Sequence, residues 1–262
     1  MKKLFSVILA AAMLLTVAPL AGGAPAAKAA EIVASGVCGA EGDGSNIKWT
    51  KDNAGVLTLS GVGQMKNYGY GFDAADNYRH TNAPWCMSGA PFISKVVINE
   101  GINSIGEYAF CGCLKLASVT ISNSVTSIGK NAFDDCIALT SVTVPNSVTR
   151  IEDSAFCGCT ALKSVSIRRG VKAIGAYAFK CCAALTSVEL PDSLKEIGEY
   201  AFNDCTALAS VTIPGSVEDV GNYAFWNCKG LSSVVIENGV KNIGYQAFGG
   251  CSGVKNWQFR AV

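Results

Sequence analysis

Apolar and polar positions recur every 23 residues along most of the chain. The clearest marker is an Ala-Phe pair, whose phenylalanines are Phe110, Phe133, Phe156, Phe179, Phe202, Phe225 and Phe248. Ile or Val lies five residues before each phenylalanine, Leu or Val lies six after, and Cys lies three after, at Cys113, Cys136, Cys159, Cys182, Cys205, Cys228 and Cys251. A coil of about 23 residues cannot bury its apolar side alone, so the pattern predicts a repeat solenoid of stacked coils.

Each unit contains two kinds of local pattern. The segment "LTSVTV" alternates apolar and polar residues, which predicts a short strand with one buried face. The segment "IGEYAFNDC" has apolar spacings near those of a helical turn, which predicts a short helical or 3₁₀ segment on the other side. Pro145, Pro191 and Pro214 mark the corner after the strand. The strands should stack parallel as one long sheet.

The first 92 residues depart from the repeat and divide into two parts. Residues 1–29 start with Lys2 and Lys3, continue as an apolar run and end in small residues, which predicts a cleaved signal peptide, with an uncleaved membrane anchor as the alternative. Residues 30–92 contain two alternating segments, Ile47–Thr50 and Val56–Gly61, that predict a β-hairpin cap. The solenoid itself is expected over residues 93–262.

Charge argues against nucleic acid as a partner. The whole chain has a formal net charge of +1, from 21 Lys and Arg and 20 Asp and Glu. Removal of residues 1–29 would take away three lysines and leave 18 basic against 20 acidic residues, a net of −2. After this cleavage no membrane span remains, so we expect a secreted or cell-surface protein.

Twelve cysteines in an exported chain normally indicate disulfides. Seven of them, however, share one position in the repeat among core residues, where a free thiol acts as a small hydrophobe. The sequence favours buried thiols for this column, with partial pairing and metal binding as alternatives. Cys111, Cys157 and Cys181 lie outside it on the predicted turn, and Cys38 and Cys86 lie in the N-terminal segment, so these five are candidates for oxidation or pairing.

The unit "LxxVxIPxSVxxIGxxAFxxC", preceded by "SGVCG", "IKWT" and "GVLTLSGVGQM", closely resembles the BspA-type leucine-rich repeat proteins from about Ser35 to Phe259. Glu152 departs from the pattern, since the other coils have glycine there. The resemblance implies secreted or surface proteins, some of them linked to adhesion to host matrix proteins or other cells. It implies no shared catalytic site and no cofactor, so we expect a binding protein and not an enzyme.

The outward positions of the strands form the first candidate binding surface. One column is serine in every complete unit and includes Ser141, Ser164 and Ser187. A charged group interrupts this weakly polar face, either as a solvated set of ion pairs or as a contact for a protein or glycan partner: Arg168, Arg169, Glu189 and Asp192.

The aromatic segment before the repeats is the second candidate surface. Tyr68, Tyr70 and Trp85 lie among glycines and aspartates, where they could stack on a sugar or a protein, or could cover the first coil as part of the cap. Two other functions stay open: a structural, array-forming protein, and a secreted glycan-active enzyme. Against the enzyme, the single histidine, His80, has no nucleophile motif beside it.

The column of seven cysteines predicts a thiol count. Alkylation of the unfolded, unreduced protein should modify at least seven cysteines, because the column is expected to hold buried thiols and its odd number of cysteines cannot pair completely. Fewer than four modified cysteines, measured by intact mass, would show that the column is cross-linked.

Overall fold

The structure is a computed structural model that describes residues 30–73, 78–86 and 92–260. The predicted signal peptide, residues 1–29, lies outside the described residues. The described chain is a parallel-strand β-solenoid of about seven turns. The sequence-based prediction of a repeat solenoid is therefore confirmed.

Twenty-one strands are present in the described residues. In chain order they are β1 Ile32–Val37, β2 Ile47–Asp52, β3 Val56–Gly61, β4 Gly63–Gln64, β5 Tyr70–Asp73, β6 Tyr78–Thr81, β7 Lys95–Ile98, β8 Ile102–Ile105, β9 Ser118–Ile121, β10 Ser127–Ile128, β11 Ser141–Val144, β12 Arg150–Ile151, β13 Ser164–Ile167, β14 Ala173–Ile174, β15 Ser187–Glu189, β16 Glu196–Ile197, β17 Ser210–Ile213, β18 Asp219–Val220, β19 Ser233–Glu237, β20 Asn242–Ile243 and β21 Asn256–Arg260.

These strands form two stacked sheets and a separate hairpin. The eleven-stranded sheet has the order β1-β2-β3-β7-β9-β11-β13-β15-β17-β19-β21, and the eight-stranded sheet has the order β20-β18-β16-β14-β12-β10-β8-β4. Strands β5 and β6 pair only with each other. Each coil thus supplies one longer strand to the first sheet and one short strand to the second.

The alternation within each longer strand explains how the first sheet forms. In β11, Val142 and Val144 are buried whereas Ser141 and Thr143 are exposed. The parallel register places Ser141 opposite Ser164, 23 residues later. β-Branched residues suit this pleated, half-buried surface, so one face of every coil packs inward.

The expected helical or 3₁₀ segment is wrong, since no helix occurs in the described residues. The cause lies in the backbone around each phenylalanine. The residues two before and two after Phe179, Tyr177 and Cys181, both have φ near 60°, a left-handed conformation that interrupts a helix. The amide of Phe179 then donates to the carbonyl of Ala201 in the next coil, at 2.7 Å. Backbone hydrogen bonds therefore join neighbouring coils here as well as in the sheets.

The phenylalanines form a continuous column, which is buried from Phe110 to Phe225 and half-buried at Phe248. Adjacent rings are stacked with centroids 5.0 to 5.4 Å apart from Phe110 to Phe248. The indole of Trp85 stacks on Phe110 at one end, and Trp257 meets Phe248 edge-on at the other. Offset aromatic contacts contribute about 0.5–1.5 kcal/mol each beyond the buried area.

The seven repeat cysteines are free thiols in the structure. Six of them donate a hydrogen bond to the carbonyl of the phenylalanine 26 residues earlier, as Cys159 does to Phe133 at 3.2 Å. Burial raises the pKa of Cys159 well above its ordinary value, so the thiol stays protonated and can donate. Of the five other cysteines, Cys111 is buried and not on an exposed turn, whereas Cys157 and Cys181 are half-buried.

The N-terminal segment extends the eleven-stranded sheet. Strands β2 and β3 pair antiparallel from Ile47 to Gly61, over the residues that the sequence predicts as a hairpin, and β1 adds outside β2. Strand β3 then pairs parallel with β7. That this segment serves as a cap stays a prediction.

The burial pattern predicts unequal responses to two substitutions in one turn. Phe156→Ala should lower the free energy of unfolding by about 3–5 kcal/mol, because the Phe156 ring is fully buried and its removal opens a gap in the column. Ser154→Ala, two residues away and half-buried at φ 55°, should change it by no more than about 0.5 kcal/mol, since alanine keeps the Cβ atom. Denaturant unfolding of both variants tests whether Phe156 is a core residue and Ser154 is not. Equal changes in the free energy of unfolding would contradict this assignment.

Candidate binding surfaces

The serine column lies on the outer face of the eleven-stranded sheet, as predicted. Ser141, Ser164 and Ser187 are directly in register on neighbouring strands, and all three are exposed. Parallel strands lie about 4.8 Å apart, so their hydroxyls form a regular row of hydrogen-bonding groups. The row carries no charge, and it can contribute area and hydrogen bonds to a contact.

The predicted charged group lies at one margin of this face. Glu189 ends β15, and Arg168 directly follows β13 on the neighbouring coil. Arg169 and Asp192 are 23 residues apart and so occupy equivalent positions on these two coils. All four side chains are exposed. Among the described residues, the ion pairs within 4.0 Å involve other side chains, so these four form no ion pair with one another.

A second charged surface, on the eight-stranded sheet, was missed by the sequence analysis. Arg150 contacts Glu152 at 3.2 Å and Glu196, two coils later, at 3.5 Å. Further along, the carboxylate of Glu218 lies between Lys241 at 2.6 Å and Lys195 at 4.0 Å. The charges on this sheet therefore neutralise one another along the stack.

A signal for this second surface was present in the sequence. The positions six and seven residues before each phenylalanine are uncharged in the first two coils, as Asn, Ser or Thr. In later coils charged residues occur there, at Arg150, Lys172, Lys195, Glu196, Glu218, Asp219 and Lys241. The repeat pattern predicts no second sheet at these residues, which directly precede the recurring Ile or Val. The two-residue strands are too short for an alternating pattern to reveal them.

The two aromatic side chains of this segment that the structure describes, Tyr68 and Trp85, pack against the core. The Trp85 side chain is only 1% exposed, and its Nε1 donates to the carbonyl of Ala109 at 2.9 Å. Trp49 and the half-buried Tyr68 meet the same indole edge-on. Burial raises the pKa of Tyr68 well above its ordinary value. For Tyr70 only the backbone, in β5, is described. The packing interpretation is favoured for Trp85, whose ring has no free face for a ligand.

A polar cavity of about 390 Å³ lies where the N-terminal segment meets the first coils. Its lining includes Asn67, Glu107, Lys130 and Glu152. Glu152 is the residue that replaces the usual repeat glycine, so the departure in the sequence contributes to this cavity. In the part of the chain that the structure describes, no group of three or more His, Cys, Asp or Glu side chains is arranged to hold a metal ion.

A row of tyrosines two positions before the phenylalanines lies beside the turns. The rings of Tyr177, Tyr200 and Tyr223 stack at 5.0 and 4.8 Å, and Tyr245 meets Tyr223 edge-on. The three stacked tyrosines are half-buried. Each of these rings covers its neighbour, so the row extends the stacking of the coils to the outside of the turns.

Comparison with protein families gives one match. A family model described as the BspA type leucine-rich repeat region matches in six copies, over residues 86–187 and 172–261. A search of curated proteins returned no match. Within the described residues, no helix has the length and apolar character needed to cross a membrane.

Several solved structures are similar to this chain, and one of them has a TM-score above 0.5. A leucine-rich repeat protein of T. pallidum is 28% identical, with a TM-score of 0.59, over 71% of this chain and 87% of its own. A leucine-rich cell surface protein of Faecalibacterium prausnitzii is 18% identical, with a TM-score of 0.47, over 82% and 93%. A leucine-rich repeat protein of Bacteroides ovatus is 25% identical, with a TM-score of 0.44, over 83% and 70%.

The ion pair between Lys241 and Glu218 predicts a change in the pKa of Glu218 when the lysine is removed. A hydrogen bond from Lys241, and then its charge, lower the pKa of Glu218 below its ordinary value. The favourable interaction is therefore present above the ordinary carboxyl pKa and is lost as the pH falls through the lowered one. Lys241→Gln should raise the pKa of Glu218, measured by NMR of its carboxyl carbon against pH.

Lys195→Gln provides the matched control, because Lys195 lies farther from the same carboxylate. It should raise the pKa of Glu218 by a smaller amount. Equal shifts in the two variants would show that net charge, and not the short Lys241 contact, sets the pKa.

Proposed function

The chain belongs to the BspA-type leucine-rich repeat family, and on that basis we propose that it is a non-catalytic binding protein that mediates adhesion or protein interaction through an extended face. The observation that supports this most directly is the unbroken register of exposed side chains along the eleven-stranded sheet. Stacked repeats of this kind provide long surfaces for partners. The partner is a protein or a glycan of a host matrix or cell surface.

The eleven-stranded sheet is the better candidate face because its charges are available. Arg168, Arg169, Glu189 and Asp192 are exposed and form no ion pair with one another. On the eight-stranded sheet, by contrast, a partner would first have to break contacts such as Lys241 with Glu218. Unpaired charges can form new pairs at lower cost than charges that are already neutralised.

The two kinds of side chain on this face have different roles in the proposal. The serine row includes Ser141, Ser164 and Ser187 and looks the same from one coil to the next. It adds contact area, but a partner could bind at any of several equivalent positions along it. The charged group occurs once, so it sets the position and orientation of the partner. This division assigns affinity to the row and specificity to Arg168 and Arg169.

The proposed location is outside the cell, either secreted or at the cell surface. It rests on the Lys-Lys start, apolar run and small residues of segment 1–29, which are typical of an export signal. Mass spectrometry of the protein from culture medium and from washed cells tests both parts. Detection of the intact N-terminus inside the cells alone would contradict export.

The binding face is tested by a paired substitution. The purified protein is first applied to panels of matrix proteins, bacterial surfaces and glycans, and the captured partner is used for titration. Arg168→Ser with Arg169→Ser should weaken this binding about tenfold at low salt and much less at high salt, because exposed charges are screened. The melting temperature should barely change, since exposed charges contribute little to folding.

Lys195→Ser with Lys241→Ser is the matched control, because it removes the same charge from the eight-stranded sheet. It should leave binding within about twofold of the unchanged protein if the partner uses the other face. Loss of binding in this control alone would assign the partner to the eight-stranded sheet. Equal loss in both variants would indicate a response to net charge only.

Self-assembly is a second candidate function that one observation favours. Strand β21 is at the end of the eleven-stranded sheet, and its side chains Trp257 and Phe259 are 47% and 74% exposed. Exposed apolar edge strands promote pairing between chains. Phe259→Lys should shift any oligomer seen by analytical ultracentrifugation towards monomer. A protein that is monomeric before the change would exclude this edge as an assembly site.

A further inference from the structure

The N-terminal segment is attached to the first coil at a pair of cysteines. The Sγ atoms of Cys86 and Cys113 are 2.7 Å apart, although 27 residues separate them in sequence. Cys113 begins the cysteine column of the repeats, and Cys86 directly follows Trp85, which begins the aromatic column. The two columns therefore both continue from the solenoid into the N-terminal segment.

Cys86 is held in this position by several independent contacts. Its amide donates to the carbonyl of Ala83 at 3.0 Å, which closes a turn. The neighbouring Trp85 is anchored by its hydrogen bond to Ala109 and by its stacking on Phe110. Cys86 is thus positioned against Cys113 by the packing around it, and a covalent bond would require the two sulfur atoms to move together by only about 0.7 Å.

We propose that Cys86 and Cys113 form a disulfide bond when the protein meets an oxidising environment, and that this bond locks the N-terminal segment onto the first coil. The proposal does not depend on the binding function. The sequence named Cys86 as a candidate for pairing without a partner, and the structure places Cys113 against it. The other six repeat cysteines are expected to remain thiols, since each donates a hydrogen bond to the carbonyl of a phenylalanine.

The oxidant is a disulfide, either of a dithiol oxidase or of a small molecule such as oxidised glutathione. The half-buried Cys86 attacks it as the thiolate and forms a mixed disulfide, releasing one thiol. Cys113 then attacks the Cys86 sulfur and releases the second thiol. Two S–H bonds are lost and one S–S bond is formed in the protein, while the oxidant is reduced to two thiols.

A buried lysine lies close enough to influence both sulfur atoms. The Lys51 side chain, from β2, is 1% exposed. Burial lowers the pKa of Lys51, and the nearby Cys86 and Cys113 act in the opposite direction. The hydrogen bond with Cys86 and burial raise the pKa of Cys113. A positive ammonium group at this place favours the thiolate that the second step needs.

The disulfide is tested on the purified protein after incubation with oxidised glutathione. The protein is unfolded, alkylated without reduction and mapped by mass spectrometry. Ten of the twelve cysteines should be alkylated, and Cys86 and Cys113 should be found joined in one disulfide-linked peptide pair. The melting temperature should fall by about 5–10 °C when a reductant is added.

Two variants separate this bond from other thiol chemistry. Cys86→Ser should leave all eleven remaining cysteines alkylated and a melting temperature that does not respond to reductant. Cys181→Ser, which removes another half-buried cysteine, should retain the bond and the response.

Four results would overturn the proposal. The first is alkylation of all twelve cysteines after oxidation, and the second is a bond from Cys86 to Cys38. The third is a bond between two repeat cysteines while Cys86 and Cys113 stay alkylated. The fourth is a lasting adduct of glutathione on Cys86. Mapping of the unchanged protein decides among these results even if Cys86→Ser fails to fold.

Discussion

The hydrogen bonds between neighbouring coils set the geometry on which the rest of the structure depends. They occur in both sheets and also at the turns, where the amide of Phe179 bonds to Ala201 of the next coil. Because these bonds must form at three sides of every coil, a coil with one extra residue would lose its register with both neighbours. The constant 23-residue spacing is the result, and it is also what allows the phenylalanine rings to stack without a gap.

The same geometry explains the choice of cysteine inside the core. A residue at that position faces the phenylalanine carbonyl of the preceding coil at about the distance of Cys159 to Phe133, 3.2 Å. A thiol fills the space as a small hydrophobe and also donates weakly to the carbonyl, whereas serine would bury a stronger polar group and valine would add volume without a donor. At the start of the column, the Sγ atom of Cys113 lies 2.7 Å from a sulfur atom outside the column, that of Cys86.

The repeat made most of the fold predictable from sequence. The predictions fail at the backbone conformation of the turns and in the irregular N-terminal segment. The solenoid, the buried Phe156 and the outward Ser164 follow from spacing and alternation alone. The turn was mistaken for a helical segment because its apolar spacing is helix-like, while the left-handed φ of Tyr177 is invisible in a pattern that also allows asparagine and serine there. The contact of Cys86 with Cys113 depends on how an irregular segment folds back, which no period predicts.

The candidate binding surfaces could be predicted only in part from the sequence, because the pattern indicates one exposed face and the structure has two. A two-sheet solenoid has two outward faces, and the alternating pattern of the longer strands indicates only the one with Ser164 and Arg168. The charges of the other face, such as Glu218, are paired along the stack and so contribute to the solenoid itself. Since a uniform repeat cannot select a partner, selectivity has to come from positions where the repeat is broken and the charges are still free. In the described residues Arg168 and Arg169 meet both conditions, which is why the binding proposal rests on them.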